Sequence, residues 1–549
     1  MRATEMKNVI STTRLLLTAV AAVALLLPTT AHGAAPGITG PTFNLTAQAA
    51  YVTQPDGAMV YSWGYGCSST PTGFAPAAIS GAFCNSMQVP GPTLIVTEGQ
   101  TVIVTLTNGL PTSAGNTSIL FPGFQVCLGT ITAGVCIPPA SPNGVAGLLT
   151  QEAAPSRTVT YSFVASSPGT RAYYSGTQGD LQVEMGLYGA IIVLPASVPS
   201  NCTSGLAAAN LRVEGIWHES DFRLANAAGV VGAAYGHAKS CYDREYLFQF
   251  SEMDPDIHSK ALAQVTACMA SGAAGCSLSV PTEPYHPAYF LINGRSMPDD
   301  MDPNYALEYP HQPYNGNPHM HPGEQVLLRI IGQGRWQHPF HEHGNHVRIL
   351  GRDGNLILSK TDPANSLAGS LLFTTTTTPG QAFDGIFYWT AKGLNWDAYG
   401  HNPASSDPLA KLPCVADTNG YNTGTSAAES AINYYEWCHD HNKPMQAAPF
   451  GDVASGGPVT LPDPNILANG AWFGGSPYLG PNATVRAVGP TGTTPPSGTI
   501  ANSPTGEAGF AFMWHSHNER EITTNNIFPG GMLMMMLVDS REFVIDESN

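Results

Sequence analysis

The sequence predicts an all-β protein built from sandwich domains, and three observations point to this class. Charged residues make up only 11% of the 549 residues, against roughly 25% in an average globular protein. Glycine (58 residues) and proline (45 residues) are abundant, as expected for many short strands joined by turns. Apolar and polar residues alternate in Thr93–Leu110 and Arg157–Ser166, which is the period of a β-strand.

The first residues have the pattern of an export signal. Arg2, Lys7 and Arg14 are basic, Leu15–Leu27 is an apolar run, and Ala31–Gly33 offers small residues for cleavage. The run is short for a membrane span. We therefore expect residues 1–33 to be a signal peptide and the mature chain to be secreted or periplasmic, with an N-terminal anchor as the alternative. No later segment has the composition of a membrane span.

Cysteine usage agrees with export. The chain has ten cysteines, and an even number in an exported protein indicates disulfides. Four pairs are close in sequence, although spacing alone does not determine connectivity: Cys67 and Cys84, Cys127 and Cys136, Cys268 and Cys276, and Cys414 and Cys438.

The formal net charge of −17 restricts the partners. A chain this acidic is a poor ligand for nucleic acid or an anionic membrane, whereas it attracts cations. Metal ions are therefore favoured among the partners, and the oligomeric state stays open.

The strand-like segments fall into two groups. The first group predicts a domain over residues 42–197, closed by the buried-looking segment Met185–Pro195. The second group begins near Arg244–Asp254 and predicts a domain over residues 198–549. Residues from about 392 to 505 are rich in Gly, Pro, Asn, Ser and Thr and lack a regular apolar period, which indicates a long insertion.

Six fragments in a fixed order carry a resemblance to a known family. They are Pro90–Asn108, Gly186–Val193, Phe290–Arg295, His338–Gly344, Pro379–Asp384 and the segment from Trp514 to Met532. Together they resemble the multicopper oxidases. The resemblance implies tandem cupredoxin-like Greek-key β-sandwich domains, of which we count two, with three as the alternative.

Members of this family bind copper through four histidine-rich motifs, and the first two are absent here. Leu120 and Pro122 stand where the first motif has histidines, and Tyr174 and Gly176 stand where the second has them. The trinuclear oxygen-reducing cluster of the family draws half of its histidines from these two motifs. The resemblance therefore supports the fold more than the usual oxidase mechanism.

The third motif is intact and the fourth is altered. The third supplies His338, His341 and His343; the fourth keeps His515 and His517. Three further positions bear on the fourth motif: Ser516 replaces its cysteine, Glu521 its next histidine, and Met532 follows at a longer spacing than usual. A blue copper site needs a soft thiolate, and a serine hydroxyl is a poor substitute. We expect the blue type 1 copper to be absent.

The surviving histidines predict a metal site. His341 and His343 are two residues apart, as are His515 and His517, and residues i and i+2 of a strand face the same side. In the family these strands are neighbours, so the resemblance implies four converging imidazoles. Imidazole suits copper, with manganese, iron or zinc as other metals. His338 is a fifth candidate ligand beside them, and a hydrogen-bonded polar patch is the alternative.

Other candidate ligands carry a weaker signal. His319, Met320 and His321 precede a strand, His439 and His441 lie in the predicted insertion, and Glu519 and Glu521 offer hard oxygen atoms. Histidines in loops are commonly solvated. For Glu519 and Glu521, a solvated turn is the alternative to metal binding.

Three functions are consistent with these patterns, and the first of them is what the resemblance implies. The first is a metal-dependent oxidoreductase with a reduced copper complement, using a small reducing substrate and dioxygen, or oxidising metal ions such as manganese. The second is a copper-binding or copper-storage protein without turnover. The third is a structural extracellular protein. The sequence alone does not decide whether the chain is an enzyme, but the resemblance favours a copper-dependent oxidoreductase without a blue type 1 site.

Overall fold

A computed structural model describes most of the chain outside its N-terminus and the predicted insertion. The described residues are 35–71, 73–76, 84–141, 143–202, 232–320, 324–362, 366–390, 392, 413–418, 420–422, 437–440, 475–479 and 508–539. The predicted signal peptide and nearly all of the predicted insertion lie outside them. Among these residues no helix is long and apolar enough to cross a membrane.

The first part of the chain forms two packed sheets. Its strands are β1 Gly37–Thr39, β2 Thr42–Thr53, β3 Met59–Cys67, β4 Phe74–Ala75, β5 Leu94–Thr97, β6 Thr101–Asn108, β7 Thr130–Thr132, β8 Val135–Ile137, β9 Val145–Ala146, β10 Gln151–Glu152, β11 Thr158–Val164, β12 Gly169–Tyr174 and β13 Tyr188–Leu194. One sheet has the order β12-β13-β5-β1-β4 and the other β11-β6-β2-β3. Leu94 and Ile191 of the first sheet meet Val104 and Phe163 of the second in one buried cluster, so this is a sandwich.

The second part repeats this architecture. Its strands are β14 Gly232–Ala233, β15 Cys241–Tyr242, β16 Arg244–Met253, β17 Tyr289–Ile292, β18 His319–Met320, β19 Gln325–Gly332, β20 His338–Glu342, β21 Val347–Arg352, β22 Asn355–Leu356, β23 Leu371–Leu372, β24 Thr374–Thr377, β25 Ala382–Tyr388, β26 Gly475–Leu479, β27 Ala508–Ser516 and β28 Leu533–Asp539. One sheet runs β17-β16-β19-β25-β21-β22 and the other β18-β28-β27-β20-β24. Phe248 and Leu328 pack against Phe340 and Trp514 between them. The predicted all-β class is confirmed, whereas the boundary near residue 197 stays a prediction.

Helices are few in the described part of the chain. They are α1 Gly179–Gln182, α2 Pro255–Ser271 and four 3-10 turns at Thr112–Ala114, Ser200–Cys202, Asp299–Met301 and Cys438–Asp440. The long helix α2 begins at the N-cap Asp254, whose carboxylate accepts from Asp256 N, and ends at Gly272 in the left-handed conformation. Its buried face, including Ile257 and Ala261, joins the core of the first sandwich.

A buried ion cluster joins the two sandwiches. Arg329 of β19 is fully buried and contacts Glu245 at 2.6 Å and Asp384 at 3.3 Å. Asp384 also accepts hydrogen bonds from the Thr170 hydroxyl of the first sandwich, at 2.6 Å, and from the Tyr235 hydroxyl, also at 2.6 Å. A buried charge needs several partners to offset its lost hydration, and here those partners come from both parts of the chain.

All ten cysteines are paired. The disulfides are Cys67–Cys84, Cys127–Cys136, Cys202–Cys241, Cys268–Cys276 and Cys414–Cys438. The expectation of disulfides is confirmed, and the four pairs that are close in sequence are all present. Cys202 and Cys241, 39 residues apart, are not an obvious pair in the sequence.

The pairing predicts that titration of the denatured, unreduced protein finds no free thiol. The full complement of ten thiols should appear only after reduction. Two or more free thiols before reduction would contradict the pairing and would make a cysteine available as a metal ligand.

Candidate metal centre

Two neighbouring strands bring the paired histidines together. Strands β20 and β27 are antiparallel, and His341 lies directly opposite His515 in their register. Side chains alternate between the two faces of a strand, so the following histidine of each pair points to the same face. His341, His343, His515 and His517, here called the four-His cluster, therefore share one face of the sheet.

The rings of the four-His cluster are close to one another. Ring centroids are 4.7 Å apart for His341 and His343, 5.5 Å for His341 and His515, 4.9 Å for His341 and His517, 5.2 Å for His343 and His515, and 5.6 Å for His515 and His517. Imidazoles that bind a common ion through nitrogens about 2.0–2.1 Å away have centroids roughly 5 Å apart. The spacing of the rings therefore fits a metal site.

One pair of nitrogens also has the separation that two ligands of one ion would have. His515 Nε2 and His343 Nε2 are 3.3 Å apart, and two nitrogens in tetrahedral positions about one metal are about 3.3 Å apart. As the side chains stand, no three His, Cys, Asp or Glu residues within the described ranges are arranged to hold one ion. The fit thus extends to the spacing of all four rings and to the nitrogens of one pair.

The surroundings of the cluster favour the neutral form of two of its imidazoles, those of His341 and His515. Burial, and then the neighbouring imidazoles His343, His515 and His517, lower the pKa of His341 to about 3. Burial likewise lowers the pKa of His515. The Nδ1–H of His515 donates to the Ser516 carbonyl at 2.7 Å, which leaves Nε2 as the nitrogen with a lone pair. A ring that donates from one nitrogen to a carbonyl is the usual state of a histidine ligand.

The opposite face of the same strands holds a different group. His338 lies on the inner face and is fully buried between two carboxylates. Its Nε2 is 2.9 Å from Glu252 Oε2, and its Nδ1 is 3.0 Å from Glu521 Oε2. Hydrogen bonds to these carboxylates outweigh burial and raise the pKa of His338 to about 9. With both nitrogens engaged, His338 is placed apart from the four-His cluster.

Ser516, Glu521 and Met532, which replace the blue copper site, meet beside His338. Together with His338, Glu252 and Asn518 they are here called the inner group. The Ser516 hydroxyl donates to Glu521 Oε2 at 2.5 Å, and Asn518 Nδ2 donates to Glu521 Oε1 at 2.9 Å. The longer loop still returns Met532 to the same place, since Ser516 N donates to Met532 O at 2.9 Å and Met532 N donates to Glu521 O at 2.8 Å. A buried set of hydrogen bonds thus occupies the positions that the resemblance assigns to the type 1 copper.

Sequence reasoning did not identify two members of these groups. Glu252 is located on β16, far from the motifs in sequence, and also accepts from the backbone N–H groups of Arg335 and Trp336, at 2.6 and 2.8 Å. Thr374 of β24 lies opposite His341, and its hydroxyl is 2.7 Å from His341 Nδ1. Neither residue lies in a recognisable motif, so only the sheet order could have identified them.

The other candidate ligands are not members of the four-His cluster. The backbone of His319 and the Tyr246 hydroxyl exchange two hydrogen bonds at 2.9 and 2.6 Å, and the Met320 side chain is in the core. Glu519 is an exposed residue 3.9 Å from His517 Nδ1. His439 lies near Trp437, whereas His321 and His441 are outside the described residues.

The positions of the two missing motifs face each other in the first sandwich. Leu120 N donates to Tyr174 O at 2.7 Å, which pairs the two segments. The side chain of Leu120 lies against Gly176. Apolar contacts therefore fill the place where histidines of both motifs would meet.

A family model and a curated relative each match part of the chain. The family model described as multicopper oxidase matches residues 80–197. An L-ascorbate oxidase of Brassica rapa subsp. pekinensis is 33% identical over 132 residues. That match covers 24% of this chain and 21% of the relative, so it spans about a fifth of the relative's length.

Solved structures resemble the chain over a larger part of its length. A multicopper oxidase named mgLAC has a TM-score of 0.41 at 15% identity, with 92% of this chain and 87% of the other covered. A blue copper oxidase from Nitrosomonas europaea has a TM-score of 0.41 at 15% identity, with 90% and 85% covered. The family model and the curated relative therefore show that part of the chain is similar to multicopper oxidases.

Proposed function

We propose that the chain is a secreted copper-binding protein and a copper-dependent oxidoreductase with a reduced copper complement. The observation that carries this proposal is the set of four imidazoles that converge on one face of β20 and β27. Imidazole nitrogen is a good ligand for copper, and the similarity to multicopper oxidases implies this metal. The five disulfides support export, because such bonds persist in oxidising compartments.

His343 and His515 would hold copper, with His341 and His517 completing the set. When bound, copper would supply one-electron chemistry between a reducing substrate and dioxygen. The Ser516 carbonyl fixes the ring of His515 by accepting from Nδ1, and Thr374 contacts His341 on the side away from Nε2. The side chain of His517 is 56% exposed, which gives a small reducing substrate or a metal ion a way to the cluster.

The reduced copper complement rests on the inner group. His338, the fifth candidate ligand, has both of its nitrogens engaged by Glu252 and Glu521. Ser516 supplies a hydroxyl in place of a thiolate and donates it to Glu521. The same observation favours the second candidate function, copper binding without turnover, since an electron-donating copper would be missing.

A copper count tests the proposal, and the proposal also predicts the colour of the protein. Purified protein loaded with Cu(II) is expected to retain copper after desalting and to be pale, with an ordinary tetragonal spin-resonance spectrum. Without a thiolate ligand, the intense charge-transfer band of a blue site has no source. Atomic absorption and visible spectroscopy measure both properties.

Oxygen uptake separates the two candidate functions. Uptake with a phenol or Mn(II) that depends on copper loading supports the oxidoreductase, and copper binding without uptake supports storage. Protein that retains no copper would contradict both, and an intensely blue protein would contradict the reduced complement.

A further inference from the structure

A large open cleft lies away from the four-His cluster. It has a volume of about 980 Å³ and runs between loops of the first sandwich and the C-terminal end of α2. None of the described residues that line it belongs to the four-His cluster or to the inner group. Its size matches clefts that hold small organic ligands.

The walls of this cleft carry almost no charge. None of its described lining residues is Asp, Glu, Lys or Arg, and His311 is the single titratable one. The two chain segments that supply most of the walls explain this. Between Asp56 and Glu152 the only charged residue is Glu98, and residues 261–282 contain none. In a chain with a net charge of −17, this segregation leaves the cleft without a counter-charge for an ionic ligand.

The cleft offers hydrogen-bonding groups beside apolar surface. Ser113 is only 7% exposed, and its hydroxyl has no hydrogen-bond partner among the described residues. A buried polar group without a partner is costly, and a ligand can relieve that cost. His311 donates from Nδ1 to the Met87 carbonyl at 2.8 Å. Its Nε2 does not take part in this hydrogen bond. Leu110 supplies apolar surface.

One wall combines rigid and adaptable parts. The Cys268–Cys276 disulfide closes the loop that follows α2, and this loop forms one side of the cleft. The side chain of Met269 on the same wall is exposed. Methionine is flexible and packs well against aromatic rings, so Met269 can fold over a ligand held in the cleft.

We infer that this cleft binds an uncharged small organic molecule that combines an apolar ring with one hydrogen-bonding group, which pairs with the Ser113 hydroxyl. An anion or a cation of the same size would lose hydration on entering and would find no opposite charge there. This binding does not depend on copper and is independent of the proposed function.

Three probes of one shape test the inference by ligand-observed NMR on the full-length protein. Benzyl alcohol is expected to show saturation transfer, whereas benzoate and benzylammonium at the same concentration are expected to show none. Ala274 lies in the cleft wall and is exposed, so Ala274→Trp fills the cleft and should abolish the benzyl alcohol signal. Ala267 is exposed on α2 but does not line the cleft, so Ala267→Trp is the matched control and should retain it.

A second variant keeps the test decisive if Ala274→Trp does not fold. Ser113→Ala removes the unpaired hydroxyl and should weaken benzyl alcohol binding about fivefold, the effect of one hydrogen bond. Three results would overturn the inference. They are binding of benzoate or benzylammonium as strong as that of benzyl alcohol, an unchanged benzyl alcohol signal in Ala274→Trp, and an unchanged affinity for benzyl alcohol in Ser113→Ala.

Discussion

The Glu521→Gln substitution is expected to lower the free energy of unfolding by about 3 kcal/mol near pH 6. In the native chain, His338 lies fully buried between Glu521 and Glu252 at 3.0 and 2.9 Å. Glutamine keeps the shape of the side chain but leaves the His338 cation with one carboxylate. Removing one partner of a buried ion pair is costly because the remaining charge has lost its hydration without full compensation.

The effect of this substitution depends on pH in a defined direction. The pKa of His338 is raised from 6.5 to about 9 in the folded protein, so proton binding stabilises the fold. This contribution, on the order of 3 kcal/mol, is fully present below pH 6.5 and is lost as the pH rises through 9. With one carboxylate removed, the variant should lose less stability over this window. The difference between the native chain and the variant should therefore shrink as the pH rises.

Urea unfolding at pH 6, 7.5 and 9 measures the difference. Glu519→Gln is the matched control, because this substitution removes the same charge two residues away from Glu521. The side chain of Glu519 is 77% exposed. This control should change the free energy of unfolding by no more than about 0.5 kcal/mol at any of these pH values. If the two variants behave alike, the buried His338 group does not contribute as we describe.

Strand positions in the fold could be predicted from sequence, and the burial of some polar residues could not. The alternation in Thr93–Leu110 corresponds to β5 and β6, and the alternation in Arg157–Ser166 to β11. Nothing in the sequence of β19 distinguishes Arg329 as fully buried, because its partners Glu245 and Asp384 come from other strands. Helix α2 was not predicted, although a capping Asp254, a first-turn proline and a terminal Gly272 mark its ends.

The candidate site was predictable where strand periodicity decides the geometry. The spacing of two placed the paired histidines on one face, and the observed register of β20 and β27 agrees with this. The same periodicity places His338, three residues before His341, on the opposite face, where it meets Glu252 and Glu521. The carboxylate partner on β16 depends on sheet packing, which a single sequence does not reveal.

Removing His343 and His515 together should have the largest effect on copper. The Nε2 atoms of these two residues are 3.3 Å apart. His343 directly follows β20 and His515 lies on β27, so the double substitution removes a proposed ligand from each of the two histidine pairs. Loss of a hydrogen-bond partner to a ligand costs roughly 10–100-fold in metal affinity, and loss of two ligands should cost more. His343→Ala/His515→Ala is therefore expected to retain no copper after desalting, measured by atomic absorption. His286→Ala, at an exposed histidine outside the four-His cluster, is the control and should bind copper as the native chain does. Unchanged copper content in the double variant, with unfolding that remains cooperative, would mean that the metal binds elsewhere and that the four-His cluster is a polar patch.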